Sequence, residues 1–202
     1  HGNELYLKGI RGIYMLNKID PTIVRVHIDD PLAVETLAAE MSKVFHNRTV
    51  VIVCVGTDRS TGDSLGPLIG TELSKENWPN VTVYGTLDEP VHALNLDLFV
   101  AKIKDKHPDS IILAIDACLG RVENIGYISL KEGPLQPGTG VNKALPSIGD
   151  YHIIGIVNVG GLMEYFVLQN TRLSLVMKMC HVIANGIKSS LCGFVTDEED
   201  IG

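Results

Sequence analysis

Long apolar runs are missing from this sequence: none approaches the ~20 residues of a membrane-spanning helix, so we expect no membrane partner. Positive charge is also scarce. The 17 Lys and Arg stand against 24 Asp and Glu, and the net charge of −7 argues against direct binding of nucleic acid. The four cysteines include no CxxC pair and no Cys/His spacing typical of zinc. These absences indicate a cytoplasmic protein with reduced thiols, in which Cys54 and Cys180 belong to the core.

Disorder is excluded by the balance of residue types, because 45% are apolar and 20% are charged. The 202 residues fit a single domain with a well-formed core. We expect that core over about residues 30–190, with an N-terminal extension over 1–29 and an acidic C-terminal tail over 193–202.

Segments rich in β-branched residues alternate with segments of helical periodicity. Three segments are apolar at nearly every position, as is typical of buried parallel strands: 49–55, 110–117 and 152–159. Further strands are predicted at 81–87 and, near an edge, at 126–130. Helices are predicted from Asp30-Pro31 onward, with Asp30 as N-cap, and over 63–77, 95–107 and 171–190, the last capped by Asn170. This alternation predicts an α/β sandwich with helices on both faces of a mostly parallel sheet.

The loop GTDRSTGDSLGP, residues 56–67, joins the first buried strand to a helix but does not suit phosphate. A P-loop reads GxxxxGK(S/T), and its lysine reaches the phosphates, whereas Gly62 is followed here by Asp63. The glycine spacing does not fit a dinucleotide loop either. What remains is an acidic residue at a helix N-terminus, where aspartate is also an ordinary cap.

A second aspartate changes this interpretation. Asp116 follows the buried aliphatic residues of IDACLG, and sites in open α/β sheets form at the carboxyl ends of the strands. We therefore expect Asp63 and Asp116 to converge in one crevice. Two carboxyl groups held a few Å apart cannot both ionise easily, so one keeps a proton while the other acts as a base. Such a pair serves amide hydrolysis, and it also suits a divalent metal.

The motifs at 56–67 and 114–117 resemble those of the germination protease of spore-forming bacteria and, more closely, those of the YyaC family of sporulation proteins. The similarity covers about residues 30–190, including LDEPVHALN and VNVGG. Hydrogenase maturation proteases are more distantly similar. The resemblance implies a three-layer α-β-α, phosphorylase/hydrolase-like fold. It also implies a peptidase of the sporulating cell or forespore, with Asp63 and Asp116 as catalytic residues and small acid-soluble spore proteins as substrates.

In hydrogenase maturation proteases, a later histidine helps to bind nickel. In this sequence, the corresponding position falls at about Pro146, which has no side-chain donor for a metal. We therefore expect neither nickel nor another cofactor. His152 lies nearby, but it begins a buried strand and is interpreted as structural.

Other polar residues near the predicted strand ends are candidate contacts for a substrate. These substrate-binding candidates are Gly56, Asp58, Arg59, Ser60, Thr61, His92 and Asn158. Each has an ordinary alternative, because polar loop residues often bond their own backbone and Pro90 fixes the turn before His92. A nucleophile at Cys118 would need a histidine base such as His92, and no spacing in the sequence supports that pair.

Three functions remain open from the sequence. The first is a peptidase with Asp63 and Asp116 as its acid and base, acting on a protein or peptide. The second is a non-catalytic binding or regulatory protein of sporulation that keeps the protease fold. The third is a metal-dependent hydrolase using Asp63, Asp116 and His92. A homo-oligomer also remains open, because the apolar stripe of the last helix suits a dimer as well as a core.

Overall fold

A central sheet separates two layers of helices, as the alternating pattern predicts. A computed structural model describes residues 5–8, 13–16, 20–137 and 145–192, so the predicted acidic tail at 193–202 lies outside the described residues. The strands are β1 (Leu5–Lys8), β2 (Ile13–Leu16), β3 (Thr22–His27), β4 (Val50–Cys54), β5 (Val81–Tyr84), β6 (Ile111–Gly120), β7 (Tyr127–Glu132) and β8 (Tyr151–Val159). The helices are α1 (Ala33–Phe45), α2 (Leu65–Leu73), α3 (Leu96–Lys106), α4 (Glu164–Gln169) and α5 (Leu173–Cys192).

The main sheet has the strand order β3-β7-β8-β6-β4-β5, while β1 and β2 pair with each other in a separate antiparallel sheet. Strands β5, β4, β6 and β8 run parallel, and β7 is antiparallel to both β8 and β3. The prediction of a mostly parallel sheet is therefore confirmed. None of the helices among the described residues combines the length and apolar character that crossing a membrane would require.

Successive side chains of the buried strands point to opposite faces of the sheet, and they pack into two cores, one on each face. On β4, Ile52 and Cys54 face the layer formed by α1, α2 and α5, whereas Val51 and Val53 face the layer that contains α3. Both sets are buried, which explains why the strand is apolar at every position. Cys180 also packs in the first core, as predicted.

The apolar stripe of α5 packs within the chain. Val176, Ile183 and Ile187 are fully buried against the first core, which includes α1 and α2, while Leu173 and Met177 of the same helix remain exposed. Most of the stripe is therefore used by the fold, and a homo-oligomer stays a prediction.

The start of α1 differs from the prediction. Asp30 does not cap the helix: its Oδ1 accepts a hydrogen bond from the backbone N–H of Leu32 (2.9 Å) and closes a turn that contains Pro31. The helix itself begins at Ala33.

Two later helix boundaries also differ. The predicted helix over 63–77 ends at Leu73, where the indole N–H of Trp78 donates to the Leu73 carbonyl (3.2 Å) and satisfies the helix end. Asn170 does not cap the last helix, because its side chain donates back to the carbonyl of Phe166 (2.8 Å) and closes the end of α4, a helix that was not predicted.

The edge of the sheet lies one strand further out than the sequence indicates. β3, which falls inside the predicted extension, pairs with β7 and forms the edge, so β7 is the second strand in. The pairing is reinforced by Arg25, whose guanidinium lies 4.3 Å from the ring centroid of Tyr127.

Candidate active site

The unequal lengths of β4 and β6 open a crevice at the carboxyl ends of the parallel strands. The last paired residue of β4 is Cys54, which lies beside Ile115, whereas β6 continues to Gly120. Asp116 is therefore the first residue of β6 beyond the end of β4, and it lies within the strand predicted over 110–117. The residue is half-buried and lines the crevice.

The loop after β4 turns back sharply and brings Asp63 to the same crevice. Gly56 has a φ of +141°, and its N–H donates to the carbonyl of Val91 (2.8 Å). The next N–H, that of Thr57, donates to the backbone carbonyl of Asp63 (3.0 Å). A Cβ at Gly56 would lie 2.1 Å from that carbonyl oxygen, so the close return of the chain requires glycine.

Asp63 and Asp116 line one cavity of about 380 Å³. Gly56, His92 and Cys118 line it as well. The predicted convergence of the two aspartates is therefore present in the structure, although their catalytic role stays a prediction.

The two carboxyl groups have unequal affinities for protons. Burial raises the pKa of Asp63 above its ordinary value, while His92 and the backbone N–H of Thr57 act in the opposite direction. Burial also raises the pKa of Asp116 well above its ordinary value, and the charge of Asp63 raises it further. The Ala117 N–H, which donates to Asp116 Oδ1 (2.8 Å), opposes this shift. Asp116 therefore keeps its proton to a higher pH than Asp63 does.

We expect Asp116→Asn to raise the free energy of unfolding at neutral pH by roughly 0.5–2 kcal/mol. The pKa of Asp116 is raised on folding, so its contribution to stability is complete below the unfolded pKa and is lost as the pH rises through the folded pKa. The amide of the variant keeps the hydrogen bond from Ala117 without a charge. Thermal unfolding at several pH values measures the gain, which should shrink as the pH falls toward about 4.

The matched control for this measurement is Asp58→Asn, which changes an exposed aspartate of the nearby loop. Its effect on the free energy of unfolding should stay within about 0.5 kcal/mol. An Asp116→Asn variant that is less stable than the wild type at neutral pH would contradict the assigned burial of this carboxyl group.

His92 is held in the cavity by a network around its own turn. Its backbone N–H donates to Asn95 Oδ1 (2.8 Å), and Asn95 Nδ2 donates to the carbonyl of Pro90 (2.9 Å). The ring Nδ1 accepts from the N–H of Leu94 (3.3 Å), which leaves Nε2 as the ring nitrogen that can donate into the cavity. The turn that the sequence offers as an alternative is present, and it positions the ring near Asp63.

The other substrate-binding candidates lie outside the lining of the cavity. Asp58 and Arg59 are exposed, and Thr61 precedes the 3₁₀ turn that carries Asp63. Ser60 is buried, and its Oγ has no hydrogen-bond partner among the described residues. These positions do not support contact with a substrate inside the cavity, so their role stays a prediction.

Asn158 makes hydrogen bonds that connect two parts of the fold. Its amide donates to the carbonyl of Val167 (3.3 Å) and to Thr171 Oγ1 (3.2 Å). These bonds connect the end of β8 to α4 and fix the helix beside the cavity. Contact between Asn158 and a substrate therefore finds no support in the cavity lining.

Part of the cavity lining was not predicted from the sequence pattern. Glu164, Tyr165 and Leu168 line it from α4, and Leu135 and Leu145 line it from another side. The one available signal was the pair of glycines after β8, because a chain reversal at a strand end places the following residues over the site.

Cys118 and His152 add neither a nucleophile nor a metal ligand to the site. Burial, and then the charge of Asp116, raise the pKa of Cys118 to about 11, so the thiol stays protonated near neutral pH and is a poor nucleophile. His152 lies on β8, and its Nδ1–H donates to the carbonyl of Gly133 (2.8 Å), which agrees with a structural residue. Pro146 follows Leu145 at the cavity wall, at a position that offers no metal donor.

Residues that could hold a metal do not assemble in the part of the chain that the structure covers. Among residues 20–137 and 145–192, no three His, Cys, Asp or Glu side chains are grouped suitably for one ion. Asp63, Asp116 and His92 thus face one cavity without forming a three-ligand set.

The fold is an α/β sandwich with a mostly parallel six-stranded sheet, of the phosphorylase/hydrolase-like kind. A solved structure, the NiFe hydrogenase maturation protease HycI from Thermococcus kodakarensis KOD1, is similar with a TM-score of 0.51. The match has 18% sequence identity and covers 74% of this chain and 99% of that chain. At this identity the likeness concerns the fold alone.

Residues 25–186 match the family described as "Protein of unknown function (DUF1256)", and the chain belongs to this family. It is 51% identical over 154 residues to the "Uncharacterized protein YyaC" of Bacillus subtilis (strain 168). That match covers 76% of this chain and 75% of the relative. The resemblance to the YyaC family is therefore confirmed.

Proposed function

We propose that this protein is a sporulation-associated peptidase that hydrolyses peptide bonds with the carboxyl pair Asp63 and Asp116. The observation that carries the proposal is the shared cavity beyond the end of β4, which Asp63 and Asp116 both line with carboxyl groups of unequal proton affinity. Catalytic acid–base pairs are tuned in this way, because one group must hold a proton while the other accepts one.

The environments of the two groups support one assignment of roles. Asp116 is the more strongly protonated group, so it acts as the general acid. Asp63 lies near His92, which favours its ionised form, so it acts as the general base. His92 is a positioning residue in this scheme, because it acts through Asp63.

Each proton is accounted for in the reaction that follows. Asp63 removes a proton from water as the water oxygen bonds to the peptide carbonyl carbon, and Asp116 donates its proton to the carbonyl oxygen. The tetrahedral intermediate then collapses. Asp63 gives its proton to the departing amine, the C–N bond breaks, and the hydroxyl that re-forms the carbonyl returns a proton to Asp116. The products are a carboxylic acid and an amine, and the enzyme is restored.

Similar proteins agree with the proposal. The solved structure of similar fold is that of a hydrogenase maturation protease, and the two Asp-bearing motifs resemble those of the germination protease. The substrate class proposed on this basis is a protein of the sporulating cell or forespore, such as a small acid-soluble spore protein.

The test is to incubate the purified protein with small acid-soluble spore proteins and to identify fragments by mass spectrometry. The double variant Asp63→Asn/Asp116→Asn serves as the blank. We expect defined fragments from the wild type alone. A folded wild type that yields no fragments from these proteins or from unfolded casein would contradict the proposal and favour a non-catalytic binding protein.

The pH dependence of cleavage should be bell-shaped. As the pH falls through the raised pKa of Asp63, the base becomes protonated; as it rises through the higher pKa of Asp116, the acid loses its proton. We expect kcat/KM to fall about tenfold per pH unit on each limb. The measurement is kcat/KM from about pH 4 to about pH 10. A kcat/KM that does not fall as the pH is lowered would exclude Asp63 as the base.

A further inference from the structure

Four large apolar side chains beside the cavity are exposed to solvent. Leu162 is 93% exposed, Met163 66%, Tyr165 66% and Phe166 54%. These four residues, called here the α4 patch, occupy the turn before α4 and its first residues. Within residues 159–171, Glu164 is the single charged side chain. A local group of large, exposed apolar residues is typical of an interaction surface.

The α4 patch is continuous with the interior of the cavity. Tyr165 belongs to both, because it is exposed and also lines the cavity. Inside, Leu135, Leu145 and Ile154 form an aliphatic part of the lining, called here the aliphatic wall, beside the polar Gln136 and Glu164. Ile154 is the direct neighbour of Asp116 across the β6–β8 ladder. An apolar path therefore runs from the carboxyl pair to the protein surface.

The helix that carries the patch is fixed in place. Thr171 Oγ1 donates to the carbonyl of Val167 (2.9 Å), the carbonyl that Asn158 also contacts. Leu168 packs so closely on the 3₁₀ turn that a Cβ at Gly62 would lie 2.8 Å from its Cδ2. The exposed side chains thus stand on a preformed support, which lowers the entropic cost of binding.

The size of the cavity limits what it holds. Its volume of about 380 Å³ lies at the lower end of ligand cavities, which span about 300–1,000 Å³. It holds a short stretch of chain, so the rest of a protein substrate must lie across the rim. On the α4 side, that rim is apolar apart from Glu164.

We propose, on the basis of the proposed peptidase function, that the α4 patch and the aliphatic wall form a substrate-binding site for an extended, apolar polypeptide segment. One apolar side chain enters the cavity beside the carboxyl pair, and a second lies on Tyr165 and Phe166. The site thereby selects segments that carry apolar side chains near the bond to be cleaved. Such segments are accessible in unfolded or flexible proteins.

The test measures binding separately from cleavage by using the full-length Asp116→Asn variant. The probes are fluorescein-labelled dodecapeptides of Gly, Ser and Gln that carry two leucines separated by one to four residues. The reference peptide has serine at both positions. We expect the best leucine peptide to bind at least about tenfold more tightly in fluorescence polarisation, because burying one leucine is worth that much or more.

Substitutions in the patch complete the experiment. Tyr165→Ser and Phe166→Ser, each in the Asp116→Asn background, should weaken binding of the leucine peptide at least about fivefold. Leu32→Ser is the matched control, because Leu32 is 62% exposed and does not line the cavity, and it should leave binding unchanged. Thermal unfolding of each variant verifies folding.

The outcomes separate this inference from the peptidase proposal. Equal binding of leucine and serine peptides, or unchanged binding after both patch substitutions, would overturn the inference even if the wild type cleaves proteins. Selective binding that depends on the patch, without any cleavage by the wild type, would support the site and overturn the peptidase. A dimer that Tyr165→Ser converts to a monomer would assign the patch to self-association and also overturn the inference.

Discussion

Peptide hydrolysis should fall at least about 1,000-fold in kcat/KM when either Asp63 or Asp116 is replaced by asparagine. Asparagine has nearly the same shape, so the cavity should keep its form. Its amide cannot accept a proton from water or donate one in the manner of a carboxylic acid. Each variant therefore removes proton transfer, while most of the binding of the substrate remains.

The double variant gives a sharper result than the two single variants. Residues that act as one unit show non-additive losses, so Asp63→Asn/Asp116→Asn should cost little more than either single change. Independent contributions would multiply instead. The measurement is kcat/KM for one defined peptide at the pH optimum, with the substrate Kd determined separately so that a loss of binding is recognised.

Two control variants test whether the loss of activity is specific to the carboxyl pair. Asp58→Asn changes an exposed aspartate outside the cavity lining and should retain the wild-type rate. Cys118→Ala removes the thiol beside Asp116 and should retain activity within about tenfold, because a thiol with a pKa of about 11 is not an effective nucleophile at neutral pH. Full activity in both single Asn variants would reject the carboxyl pair, and loss in Cys118→Ala alone would favour a thiol mechanism.

The sheet and the meeting of the two aspartates were predictable because each depends on strong local signals. The runs 49–55 and 110–117 are apolar at nearly every position, which is typical of central parallel strands, and parallel strands bring their carboxyl ends to one edge. The structure pairs these segments directly, as β4 and β6. That pairing placed Asp116 next to the loop that carries Asp63.

Weaker signals explain what the sequence did not predict. β3 has six residues, with Arg25 among them, and its place at the sheet edge depends on pairing with β7. α4 has six residues, which is too short for a helical period to stand out. Its position over the cavity comes from tertiary contacts with Asn158 and Gly62. The apolar wall of the site was therefore visible only in the folded structure.

Gly56→Ala should destabilise the protein by about 2–4 kcal/mol and lower its Tm by about 5–15 °C. Two effects combine. The φ of +141° is strained for any residue with a side chain, and the added Cβ would lie 2.1 Å from the carbonyl oxygen of Asp63. That oxygen accepts the hydrogen bond from Thr57, so the clash cannot be relieved without opening the loop. Because the same loop sets the position of Asp63, we also expect kcat/KM to fall by about 100-fold.

Gly161→Ala separates the two effects on stability. Gly161 has a nearly identical φ of +143°, and no atom lies within 4 Å of the position that a Cβ would take there, so the substitution adds backbone strain alone. We expect it to cost about 1 kcal/mol, and the difference between the two variants measures the clash with the Asp63 carbonyl. Equal melting temperatures for the two variants would show that the loop relaxes freely. In that case, Gly56 would not fix the position of Asp63 near the end of β4. The position of the proposed base would then depend on the hydrogen bond from Ser64 to the carbonyl of Thr61 and on the packing of the 3₁₀ turn against α4.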